Sequence, residues 1–117
     1  MTALSNNKKY ISERRRSERF TTWMNTSFQD TDGHWEIGFV RDISSTGIHI
    51  VTLEPLHPGI RTALILENVT DQENVLISGT VIWKIQEVPQ KNRTWPATSM
   101  GIQFGKFLPV PISCFIQ

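Results

Sequence analysis

From Phe20 onward the chain alternates short runs of β-forming residues with turn signals. Phe20 to Phe28 (FTTWMNTSF) is rich in aromatic and β-branched residues and predicts a first strand. Gln29 to Gly33 (QDTDG) ends in Asp-Gly, a hairpin signal. Trp35, Ile37 and Phe39 then alternate with Glu36, Gly38 and Val40, which predicts a second strand with one apolar face. Ile48 to Leu53 follows, closed by a turn through Pro55, Pro58 and Gly59. Arg61 to Glu67 (RTALILE) is a further strand, and Asn68 to Asn74 a polar turn. Val75 to Val88 is long enough for one bent strand, with Gly79 as a bulge or corner. Pro89 to Thr98 reads as a loop and Ser99 to Phe107 as the last strand. No stretch carries a convincing helical period. About six short antiparallel strands at this spacing predict an all-β domain, a small barrel or a sandwich.

Composition fits one folded unit. At 117 residues, with 38% hydrophobic and 20% charged, the chain has room for a single core and is too apolar for disorder. The net charge of +1 argues against a broad basic surface for nucleic acid. Its distribution is uneven: Lys8, Lys9, Arg14, Arg15, Arg16 and Arg19 stand against only Glu13 and Glu18 before the first strand. Residues 1–12 are polar and without period, so they read as a flexible tail, and a basic arm precedes a near-neutral body. No apolar run reaches the length of a membrane span and the N-terminus lacks an apolar signal region, so a cytoplasmic protein is expected. Cys114 is the lone cysteine, so no intrachain disulfide or thiolate cluster can form. The Asn-x-Ser/Thr triplets at Asn25, Asn68 and Asn92 are chance matches in such a compartment.

Two clusters carry chemistry. The first is Glu13 to Phe20 (ERRRSERF), directly ahead of the first strand; the second is Asp42 to Gly47 (DISSTG), between the second and third. Taken singly, an arginine run is a solvated segment and the second cluster a polar turn in which Asp42 pairs with Arg41 or bonds backbone amides. Histidines 34, 49 and 57 are scattered without metal-ligand spacing. Asp42, Ser44 and His49 invite a hydrolase reading, but their crowding around one turn does not make a triad. No phosphate-cradling glycine loop or acid pair is present, and a non-enzymatic protein is expected.

Together the clusters resemble the PilZ family, marked by RxxxR followed by [D/N]xSxxG. Arg15 and Arg19 supply the first motif; Asp42, Ser44 and Gly47 supply the second. Val81-Ile82-Trp83 and Met100 to Phe104 are similar to the family's late strands. The resemblance implies a domain over residues 13–108, a small six-stranded antiparallel β-barrel together with its flexible basic RxxxR arm, between the tail at 1–12 and a C-terminal tail at 109–117. It implies a stand-alone bacterial receptor for cyclic-di-GMP that has no cofactor and passes the signal to an unidentified downstream protein, without DNA, RNA or membrane insertion.

Residue chemistry agrees with that implication. Arginine forks onto guanine O6 and N7 and onto phosphate. Asp42 would accept from guanine N1–H and N2–H₂, groups whose pattern adenine lacks. Ser44 can bond phosphate or a base edge. Gly47 would permit close approach of the ligand or supply positive φ. Trp83 alternates with Val81 and Ile85 as a barrel-facing residue does, while an indole beside the site would stack on guanine. The resemblance links an arginine just before RxxxR, here Arg14, to an intercalated ligand dimer. Ligand binding is then expected to order the arm and so form the signal. Two rivals are a PilZ-like interaction module that binds no nucleotide and a barrel for single-stranded nucleic acid.

Overall fold

A computed structural model of the chain describes residues 18–68, 73–86, 98–109 and 111–115. Among these residues there are six strands: β1 Phe20–Gln29, β2 Trp35–Ile43, β3 Gly47–Val51, β4 Arg61–Asn68, β5 Glu73–Ile85 and β6 Ser99–Phe104. They close into an all-antiparallel barrel in the order β1-β2-β3-β6-β5-β4. Closure removes the exposed sheet edges that an open sheet of this size would carry. No helix among the described residues is long and apolar enough to cross a membrane.

Turn chemistry sets the first hairpin. Asp30 Oδ1 accepts from the backbone N–H groups of Asp32 and His34, both at 2.9 Å, and Gly33 takes φ 85°. Only glycine adopts that conformation without strain. β2 then runs back along β1 from Trp35 opposite Gln29 to Ile43 opposite Phe20.

The barrel interior is filled by Phe28, Val40, Ile43, Ile48, Ile50, Leu64, Leu66, Met100 and Ile102, each no more than 1% exposed. Burial of one such side chain stabilises the fold by about 1.5–3 kcal/mol. The apolar face predicted for β2 is its outer face. Trp35, Ile37 and Phe39 are 46%, 71% and 46% exposed, while Gly38 and Val40 point inward. Gly38 occupies an inner position because a Cβ there would fall 2.5 Å from Ile50 Cγ2. The inner space is already filled from β3, so the smallest residue goes in and the large ones go out.

Gly79 is not a bulge. It sits in unbroken register between Thr62 and Phe104, where a Cβ would meet the Gln103 carbonyl at 2.6 Å. The register breaks in β5 fall two residues later, between Val81 and Trp83.

The expected tail at 109–117 also contributes to the core. Ile112–Phe115 forms one 3₁₀ turn, too short to leave a helical period in the sequence. It carries Phe115 into the barrel at 0% exposure, and the Thr22 hydroxyl donates to the Phe115 carbonyl at 3.1 Å. The last strand ends at Phe104 rather than Phe107, whose side chain is exposed.

Candidate functional site

In a regular strand alternate side chains share a face, so Asp42 would follow Val40 into the core. Arg41 prevents this. It is an extra residue in β2 relative to β3: Val40 pairs with Ile50 but Asp42 already pairs with His49. A bulge of this kind reverses the facing of everything beyond it. Asp42 therefore emerges on the outer surface, opposite His49, while Ile43 returns to the core.

The same device operates on the neighbouring strands. Ile82 is an extra residue in β5 relative to β6, so Trp83 does not follow Val81 inward. Val81 is buried and Ile82 exposed, and Trp83 lies half-buried beside Gly101. The indole occupies the space that a side chain at 101 would need, with Cε2 and Nε1 nearest to where a Cβ would stand. The expected barrel-facing position of Trp83 is thereby corrected: the bulge turns it outward.

Both bulges deliver side chains to one outer patch. Arg19, immediately before β1, donates from Nη1 to Asp42 Oδ1 at 2.7 Å. Asp42 Oδ2 lies 3.1 Å from His49 Nδ1. The His49 ring meets Trp83 edge-on, with centroids 4.9 Å apart and an interplanar angle of 73°. Arg19, Asp42, His49 and Trp83 thus form one line of contacts across the outer surface.

Exposure falls along this line. The side chains of Arg19, Asp42 and His49 are 50%, 22% and 16% exposed. A half-exposed pair such as Arg19–Asp42 contributes only about 0.2–1 kcal/mol to stability. It leaves most of the guanidinium's five donors and half of the carboxylate's lone-pair sites open. The patch is suited to receive an anion or a flat polar edge.

Ser44 and Gly47 build the turn behind the patch. Ser44 is 1% exposed, and its Oγ accepts from the Gly47 N–H at 3.1 Å and the Thr46 N–H at 3.3 Å. The Ser44 N–H in turn donates to the Gly47 carbonyl at 2.8 Å. The hydroxyl is engaged inside the turn rather than presented to solvent. Gly47 does not need positive φ, which among the glycines belongs to Gly33 and Gly59. What it requires is room: a Cβ there would stand 2.8 Å from the Ile102 carbonyl on β6.

Arg14 and Arg15 lie outside the described residues. His49 is the member of the patch that sequence reading did not assign to the site. The tight turn pairs Ile43 with Ile48, so counting outward places Asp42 opposite His49. A hydrolase triad is not assembled, since the Ser44 hydroxyl bonds within its own turn. Among the described residues three potential metal ligands converge at one place, the exposed hairpin of Asp30, Asp32 and His34, where Asp30 is engaged in holding the turn.

The sequence model of the PilZ domain family matches residues 13–111. No curated protein sequence matches the chain significantly. Two solved structures share the fold at low identity. One is the Bacillus subtilis inhibitor of motility MotI/DgrA, at TM-score 0.60 and 14% identity over 78% of this chain. This chain spans 42% of that protein's length. The other is the PilZ domain of Escherichia coli YcgR with c-di-GMP, at TM-score 0.58 and 19% identity, covering 86% of this chain and 82% of that one.

Proposed function

Because the chain belongs to the PilZ domain family, we propose that it is a non-enzymatic cyclic-di-GMP receptor that binds its ligand at the outer patch around Arg19 and Asp42. The observation that carries this reading is the Arg19–Asp42 contact, which joins two motifs 23 residues apart at one surface point. The similar fold of a YcgR domain solved with c-di-GMP supports it.

Arg19 offers its open donor edges to a guanine or a phosphodiester, and Asp42 accepts from guanine N1–H and N2–H₂ on its remaining lone pairs. Arg14 and Arg15, from the same basic run, supply further charge-assisted contacts to phosphate. Ser44 and Gly47 act by shaping the turn that holds Asp42 out. Trp83 borders the patch and offers indole surface to a base. We place the protein in the cytoplasm, where the ligand is made, and assign it no cofactor.

Signal transfer follows from the position of the arginines. A dianionic ligand on the patch draws the arm across the barrel, and the surface so formed is recognised by a downstream protein through its higher affinity for that state. Ordering a residue's backbone costs about 1–2 kcal/mol, an amount that a few charge-assisted bonds offset for a short segment. Trypsin tests this directly. Cyclic-di-GMP is expected to protect the bonds after Arg14 to Arg19 while leaving the Lys91–Arg93 segment as sensitive as before. Equal cleavage of the arm with and without saturating ligand rules the mechanism out.

The exposed stripe of Trp35, Ile37 and Phe39 favours a second reading, an interaction module without nucleotide binding. The two separate on ligand titration, because only the receptor reading requires binding.

A further inference from the structure

Asp42 is held from two sides, and the more buried side is His49. A carboxylate only accepts hydrogen bonds, so the contact of Oδ2 with His49 Nδ1 requires the imidazole hydrogen to sit on Nδ1. The opposite tautomer would set two lone pairs against each other across 3.1 Å. It would also leave an Nε2–H with nothing to donate to, since Nε2 is buried and has no partner among the described residues. As a bare acceptor, Nε2 is the less costly atom to bury there.

The ring has little freedom to leave this arrangement. Trp83 closes it edge-on, and Trp83 itself rests in the space over Gly101. A contact path therefore runs from the backbone of β6 through Trp83 and His49 to Asp42, and ends at the guanidinium of Arg19.

We propose that His49 is a positioning residue: through its Nδ1–H it fixes the Asp42 carboxylate, and through Asp42 it presents Arg19 to the ligand in one orientation. This inference rests on the receptor reading only for its consequence on affinity. The Arg19–Asp42 pair alone is too exposed to hold one geometry. A part-buried hydrogen-bond donor behind the carboxylate supplies the missing constraint, as supporting residues do behind a binding constellation. Without it, part of the binding free energy is spent on ordering Arg19 when ligand arrives.

Three substitutions separate this role from packing. In His49→Asn the amide nitrogen takes the place of Nδ1 and keeps the donor. In His49→Gln the amide nitrogen stands one bond further out. His49→Leu keeps apolar bulk and has no donor. With cyclic-di-GMP as the probe, the Leu and Gln variants are expected to bind about tenfold more weakly. The Asn variant should stay within about threefold of the wild type. Wild-type affinity in the Leu variant, or equal loss in the Asn and Leu variants, overturns the proposal.

Two readouts on the ligand-free protein stand apart from binding. A long-range ¹H–¹⁵N correlation spectrum is expected to show His49 carrying its hydrogen on Nδ1; the Nε2–H tautomer contradicts the inference. Hydrogen exchange at the Arg19 guanidinium should quicken in His49→Leu, and an unchanged rate contradicts it equally. If wild-type protein fails to bind cyclic-di-GMP, the receptor reading falls, while these two measurements still decide the role of His49.

Discussion

The indole of Trp83 fills the space in which Gly101 would carry a side chain. The two residues are direct partners across β5 and β6, and the bulge at Ile82 is what brings them together. A methyl group at 101 cannot coexist with the present indole position, because Cε2 and Nε1 occupy it. Gly101→Ala should therefore push Trp83 off the sheet, cost about 1–3 kcal/mol as overpacking does, and shift the tryptophan emission spectrum. Wild-type stability together with an unaltered spectrum would show that the indole does not rest there.

The arginine and carboxylate of the patch should matter to ligand far more than to folding. Arg19→Ala and Asp42→Ala each remove a charge-assisted contact worth about 1.5–3 kcal/mol, a loss of roughly ten- to a hundredfold in cyclic-di-GMP affinity. The melting curve of Arg19→Ala should stay close to the wild type, since that pair is partly exposed. Undiminished affinity in a natively folded Arg19→Ala protein removes the patch from consideration as the binding site.

Much of the fold was legible in the sequence. Asp-Gly at positions 32 and 33 gave a hairpin where one exists, and the β-rich runs fall on all six strands. Facing was the harder part. Trp35, Ile37 and Phe39 alternate as an inner face should, yet lie outside, because what decides facing is the volume already placed by Ile50 on the next strand. Bulges are equally silent: nothing in Arg41 or Ile82 marks them as extra residues, and both reverse the side chains that follow. The site was legible as two motifs but not as a contact. That Asp42 belongs with His49 follows from register, and register is a property of paired strands rather than of either alone.

The C-terminal segment offers a test of a different kind. Phe115 comes from a stretch with no strand or helix period, yet it is fully buried and bonded through its carbonyl to Thr22. Phe115→Ala should lower the unfolding free energy by about 3–5 kcal/mol, as removal of a buried aromatic ring does. A change below about 1 kcal/mol in denaturant titration would mean that Phe115 does not pack into the core.

Arg14 bears on stoichiometry. Arg14 adds to Arg15 and Arg19 a guanidinium that can stack on guanine and offset the charge of a second ligand. Two cyclic-di-GMP molecules per chain are expected, falling to one in Arg14→Ala, as read by mass spectrometry of the intact complex. One ligand per chain in the wild type contradicts this.

A barrel that receives cyclic-di-GMP through guanine-reading side chains must distinguish guanine from adenine. Isothermal titration of the full chain with cyclic-di-GMP and, separately, with cyclic-di-AMP tests it most directly. Adenine presents an amine donor where arginine needs the guanine O6 acceptor, and each correctly read base contributes about 1–3 kcal/mol of discrimination. Saturable binding of cyclic-di-GMP, with cyclic-di-AMP weaker by at least tenfold, is the predicted result. Absence of saturable heat with cyclic-di-GMP, or equal binding of the two dinucleotides, would show that the barrel does not read guanine.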